Sequence, residues 1–122
     1  MRALLLCLTL VAWPAMAQNV RFVVGFTPGG PSDILARALG AKLSETLGQP
    51  VVVENRPGAG GNLAAEVVAK SPPDGNTWLL GNNSILATNA ALYGHLPFDP
   101  VKDFAPVALV AVQPNIDRKS TR

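Results

Sequence analysis

Only one of the 122 residues is a cysteine, Cys7, and only one is a histidine, His95. Cys7 lies inside an N-terminal apolar stretch, with too little sequence before it for an ordinary lipid-attachment signal. Once that stretch is removed no thiol is left, so a disulfide framework, a thiolate zinc cluster and a cysteine nucleophile are all excluded, as suits a compartment that oxidises free thiols. His95 sits in Gly94-His95-Leu96-Pro97 with no Asp or Ser motif beside it, and reads as a surface residue. No G-x-S-x-G elbow surrounds Ser32 or Ser84, which weighs against a fragment of a secreted α/β hydrolase. Gly58, Gly60 and Gly61 begin a dinucleotide-like pattern, but Leu63 stands where its third glycine belongs, so a structural turn is the better reading. Basic residues are not clustered into a patch: ten Lys and Arg face eight Asp and Glu, a formal charge of +2, and no nucleic-acid partner is expected. Nor is there a long apolar run, because the ten residues Ala3 to Ala12 are too few to cross roughly 30 Å of hydrocarbon.

That short run has instead the layout of a secretory signal. Arg2 gives a positive start, the apolar stretch follows, and Ala15-Met16-Ala17 supplies the small-x-small cleavage pattern. Residues 1–17 are expected to be a signal peptide, and the chain is expected in the periplasm. The remainder suffices for one modest hydrophobic core but not for two full lobes. Residues 18–112 read as one α/β lobe. After Asn115 the character changes abruptly, and residues 113–122 look like an aberrant, truncated or out-of-frame tail.

The organisation in between is a repeated strand, loop and helix. Val20 to Phe26 is short, apolar and β-branched, and is stopped by Thr27-Pro28-Gly29-Gly30-Pro31. A helix should follow, capped by Ser32 or Asp33, with Ile34, Leu35, Ala38, Leu39, Leu43 and Leu47 as its apolar stripe and Gly48 as its left-handed end. Val51 to Val53 forms a second strand, Arg56 to Gly61 a second loop, and Asn62 caps a helix reaching about Lys70. Pro72-Pro73-Asp74-Gly75 turns the chain into a third strand, Thr77 to Leu80; Gly81-Asn82-Asn83-Ser84 is a third loop, and Ile85 to Leu92 is helical. Pro97-Phe98-Asp99-Pro100 is another turn, and Phe104 to Val112 reads as a further apolar strand. Strands alternating with helices at this spacing predict an α/β fold, a parallel sheet flanked by helices, with all three polar loops at the carboxyl ends of the strands where such sheets bind ligands. Trp78 and Phe104 lie in apolar runs and are assigned to the core.

Several stretches resemble the tripartite tricarboxylate transporter receptors, the Bug-type extracytoplasmic solute receptors, over about Val20 to Asn115. They are Phe26-Thr27-Pro28-Gly29-Gly30-Pro31-Ser32-Asp33, Leu47 to Asn62 with its Glu54-Asn55-Arg56-Pro57-Gly58-Ala59-Gly60-Gly61 centre, Pro73-Asp74-Gly75, and Leu96 to Val107. Their order and spacing carry the resemblance more than any one of them. It implies the first lobe of a two-lobed periplasmic binding protein, with a hinge and a cleft closing on a small organic acid. It also implies membrane subunits of a tripartite transporter as partners, no enzymatic activity and no cofactor; a monomer is expected. The family's middle section forms the second lobe, and a later segment returns to complete the first.

A receptor for carboxylates needs donors and a positive field, and helix N-termini offer both through unpaired N–H groups and the helix dipole. The candidate ligand-binding residues are Thr27, Gly29, Gly30, Ser32, Asp33, Gly60, Gly61, Asn62, Asn82 and Ser84. Gly29 and Gly30 let the backbone approach an anion, and Ser32 adds a hydroxyl. Asp33 would repel an anion unless its oxygens turn to the backbone, so capping is the plainer role for it and for Asn62, with cleft lining for Asn62 implied by the resemblance. Asn82, Asn83 and Ser84 can bond a ligand or cap the next helix. Arg56 can clamp a carboxylate, although a solvated or locally paired charge is the plainer reading. The competing functional readings are a truncated gene product without activity and the hydrolase fragment. One lobe gives half a cleft, so the chain alone is expected to show no thermal stabilisation by citrate or related acids.

Overall fold

The computed structural model describes residues 19–113; the expected signal peptide over residues 1–17, with Cys7, and the expected tail beyond Gln113 lie outside the described residues. Three strands, β1 (Val20–Val24), β2 (Val51–Asn55) and β3 (Thr77–Leu80), form a parallel sheet in the order β2-β1-β3. Val20 stands opposite Val51 and Val24 opposite Asn55, while Arg21 stands opposite Thr77 and Val24 opposite Leu80. All three strands therefore end at one edge. The central strand is covered on both faces, which is why β1 reads as an unbroken apolar run apart from Arg21. Val20, Val23 and Val24 are fully buried, each contributing about 1.5–3 kcal/mol relative to exposure.

Helix α1 (Pro31–Leu47) covers one face, where Phe22, Val24, Ala36 and Leu80 form a core edged by Leu39, Val51, Val53 and Trp78. Its buried residues are Asp33, Ala36 and Gly40, whereas Ile34 and Leu47 are exposed. The expected stripe is thus rotated: small residues meet the sheet, and a Cβ at Gly40 would already lie 3.5 Å from the methyls of Val51 and Val53. Gly48 ends the helix in the left-handed conformation, φ 66°, with its N–H donating to the Ser44 carbonyl, as the sequence predicts. Helix α2 (Asn62–Ala69) serves the second core, in which Ala65, Ile85 and Phe98 gather Ala69, Leu79 and Phe104. Phe22 meets Trp78, and Phe98 meets Phe104, edge to face. Both Trp78 and Phe104 are half-buried at core margins.

One expectation is corrected. Phe104 to Val112 is not a strand: beyond Phe104 it runs as exposed coil, with Val107, Leu109 and Val112 about four-fifths exposed. Pro106 removes one ladder donor at the start of the run. It borders an apolar groove of about 420 Å³ shared with Phe22, Leu43 and Trp78 rather than extending the sheet. The segment Ile85 to Leu92 is helical as expected, a π-helical turn (Ser84–Thr88) followed by the short α3 (Asn89–Leu92). The wider turn admits Ile85, whose side chain fills the space that Gly61 leaves open.

Candidate functional site

Two glycines and one isoleucine bring the three loops together. A Cβ on Gly25, just beyond β1, would stand 2.9 Å from the Gly61 Cα; one on Gly61 would stand 2.6 Å from Ile85 Cδ1 and Cγ1. The end of β1, the start of α2 and the turn after β3 are therefore in van der Waals contact, and the polar loops share one edge of the sheet. This close approach also explains why β1 stops at Val24, short of Phe26.

The first loop is organised by Asp33, buried at 4% exposure. Neither Ser32 nor Asp33 is the N-cap: Gly30 holds that place and no side chain caps it. Pro31, with φ already set and no N–H to lose, starts the helix and moves Asp33 to its third position. From there its Oδ2 accepts the Gly29 N–H at 2.9 Å and Arg37 Nε at 3.0 Å, and its Oδ1 accepts Asn55 Nδ2 at 2.9 Å. Asn55 Nδ2 also donates to the Phe26 carbonyl, and Arg37 Nη2 to Asn55 Oδ1. The Arg37 guanidinium first, then the Gly29 and Asn55 donors, hold the Asp33 carboxyl down at about 2 against an ordinary 3.8. Its charge is thereby paired within the lobe, which answers the objection that it repels an anion. One consequence is that the Gly29 amide has an internal partner. The first-turn donors that remain are the amides of Ser32 and Asp33, since Pro31 has none.

The second loop has positive φ at four consecutive residues, Gly58, Ala59, Gly60 and Gly61, at 138°, 47°, 65° and 92°. Ala59 in that region is unusual for a residue with a Cβ. Gly61 N–H donates to the Gly58 carbonyl, so this amide too has an internal partner. Gly61, left-handed, is the N-cap of α2, and Asn62 is its first residue rather than its cap. Asn62 is buried and its Oδ1 accepts Asn89 Nδ2 at 2.6 Å, while the same nitrogen donates to the Gly60 carbonyl at 3.1 Å. In the third loop Asn82 Oδ1 accepts the Ile85 N–H at 3.1 Å, a capping role. Thr27, Asn82 and Ser84 are exposed at the same edge, while Ser32 is half-buried.

Residues 35–116 match the model of the tripartite tricarboxylate transporter family receptor. The chain belongs to this receptor family. It is 45% identical over 118 residues to a protein of the ttuE-ttuC' intergenic region of Agrobacterium vitis, and 42% identical over 99 residues to BugT of Bordetella pertussis. These alignments cover 92% and 80% of the chain but 34% and 30% of the relatives. Among solved structures it is similar to MatC of Rhodopseudomonas palustris with bound malate, at TM-score 0.73 and 45% identity, covering 80% of the chain and 33% of MatC. A second R. palustris protein, solved with adipate, gives TM-score 0.66 and 48% identity over 72% of the chain and 29% of its own. The chain thus spans about a third of the length of the relatives it matches.

Within this receptor lobe the structure places all ten candidate residues on the three loops or the helix starts that follow them. Arg56 pairs instead with Glu54, which also accepts Arg21 Nη2 at 2.7 Å, so its charge is locally matched. His95 is exposed, on a surface depression with Tyr93 and Asp99. Two structural organisers escaped the reading of the sequence, Asn55 and Asn89. An amide closing the strand after Glu54 was the only signal for Asn55; Asn89, in a helical stretch, resembled any solvent-facing polar residue.

Proposed function

We propose that this chain is the first, donor-bearing lobe of an extracytoplasmic receptor for small organic carboxylates. It is exported by residues 1–17 to the periplasm, acts as a monomer without catalysis, and delivers its solute to the membrane subunits of a tripartite transporter. The single observation that carries the reading is the contact of Gly25, Gly61 and Ile85, which sets three polar loops side by side at the carboxyl edge of the sheet. Malate and adipate in the similar solved proteins support the same chemical class. In this reading the ligand carboxylate lies against the Ser32 and Asp33 amides and the Ser32 hydroxyl, with Thr27, Asn62, Asn82 and Ser84 around it and Gly30 adding no side chain to the approach. Helix N-termini favour an anion by roughly 0.3–1 kcal/mol each, toward 2 when partly buried. Two or three such ends and a few hydrogen bonds support at most millimolar affinity, about −4 kcal/mol, in one lobe, which at millimolar ligand stabilises the chain by only about 0.4 kcal/mol and leaves its thermal transition in place, as the half-cleft implies.

The test compares malate with its neutral dimethyl ester by amide chemical-shift mapping of the chain at low and high salt. The reading expects saturable shifts at Ser32 and Asp33 with malate, weakened by salt, and none with the ester. Equal shifts with both compounds refute it.

A further inference from the structure

Asn62 and Asn89 form a buried polar pair whose hydrogen bonds fix more than a fold. Both side chains are 5% exposed. The Asn89 amide spends its donors on two acceptors, the Gly60 carbonyl at 3.1 Å and Asn62 Oδ1 at 2.6 Å. Reversing that amide would set its oxygen against two other oxygens, so its orientation is determined. A Cβ on Gly60, where φ is +65°, would come within 3.4 Å of both Asn89 Nδ2 and the Tyr93 hydroxyl, so α3 lies directly against the left-handed loop. Because Asn62 accepts through Oδ1, its own Nδ2 is the end left over. No fully buried side-chain polar atom among the described residues lacks a partner, and Asn62 Nδ2, which donates no hydrogen bond to them, is therefore not completely enclosed.

We propose that Asn89 is a positioning residue of the site: it locks the Gly58–Gly61 loop to the helix after the third strand and turns the Asn62 amide so that Nδ2 is presented as a donor to the ligand. The ligand half of this statement rests on the carboxylate reading; the lock does not. Together the two amides join the second and third loops into one preorganised piece, which spares the ligand the entropy of ordering them.

The experiment uses the full chain, labelled with nitrogen-15, and three variants. In the native chain the Asn89 side-chain protons should exchange with water at least tenfold more slowly than those of an exposed asparagine such as Asn83. Asn89→Ala should speed exchange of the Gly61 amide at least tenfold. Asn89→Asp should do the same, because a carboxylate meets the Gly60 oxygen. Asn62→Asp keeps the acceptor for Asn89, so Gly61 protection should stay within twofold, while the malate-induced shifts at Ser32 weaken at least threefold. That contrast separates presenting a donor from filling space. Free exchange of the native Asn89 protons, or loss of Gly61 protection in Asn62→Asp, overturns the lock, and both are readable even if Asn89→Ala does not fold. Undiminished malate response in Asn62→Asp overturns the donor assignment. Slow Asn89 exchange with no malate response in the native chain sinks the carboxylate reading and the donor assignment together, and leaves the lock standing.

Discussion

Replacing Gly61 by alanine probes the contact on which the site is built. Two costs add. Alanine must adopt φ +92°, which costs about 1–3 kcal/mol for a residue with a side chain. Its Cβ must also intrude to 2.6 Å from Ile85 Cδ1 and Cγ1, and overpacking of a buried site costs about 1–3 kcal/mol more. Gly29→Ala is the control, since φ there is +84° but nothing lies within 4 Å of the added methyl. Urea denaturation should place Gly61→Ala about 2–6 kcal/mol below the native chain and about 1–3 kcal/mol below Gly29→Ala. At a slope of about 1–3 kcal/mol/M the midpoint moves by roughly 1 M or more. Ile85→Ala alone should cost about 2–5 kcal/mol. In the double variant the clash is gone, so the combined loss should fall short of the sum by about 1 kcal/mol or more. A Gly61→Ala chain within 0.5 kcal/mol of Gly29→Ala, with additive behaviour alongside Ile85→Ala, would refute the claim that the loops meet through this glycine.

Three further outcomes follow from the same structure. Asp33 has its folded-state carboxyl lowered to about 2 from 3.8, so its stabilisation is complete above the unfolded value and lost as pH falls from about 4 toward 2; thermal melts over that window should show a shallower acid slope for Asp33→Asn. Glu54, lowered chiefly by Arg21, adds a slope of the same sign, and because Arg21 is two-fifths exposed its replacement by alanine should cost no more than about 1 kcal/mol in urea melts. Val107→Lys and Leu109→Lys, at positions 84% and 82% exposed, should change stability by less than about 0.5 kcal/mol; losses above 2 kcal/mol would restore the strand that the sequence suggested there.

Much of the architecture was legible because its signals are local. Short apolar runs beginning at Val20, Val51 and Thr77, the first two rich in β-branched residues, each followed by a glycine-rich or amide-rich loop and a helical stretch, place the parallel strands and their common edge. Gly48 announces the end of α1 because its left-handed conformation is one that glycine adopts without the strain other residues meet. Contacts set by the assembled sheet were hidden. Ala36 and Gly40 make the interface of α1 because close approach favours small residues, while Ile34, the more hydrophobic choice, stays in water. Phe104 to Val112 has the composition of a strand, yet pairing also depends on the proline at its start and on an adjacent edge. The site was legible as three loops but not as a network. Asp33 was recognised as a residue that must turn inward, whereas Asn55 and Asn89 are joined to it and to Asn62 across gaps of 22 and 27 residues that periodicity cannot bridge.

The measurement that bears most directly on a single shared cradle is a malate titration followed at three reporters at once: the Ser32 amide, the Asn62 side chain and the Ser84 amide. One isotherm with a common millimolar midpoint at all three is the predicted result. Three unrelated midpoints, or saturable shifts confined to surface lysines such as Lys42 and Lys70, would contradict it.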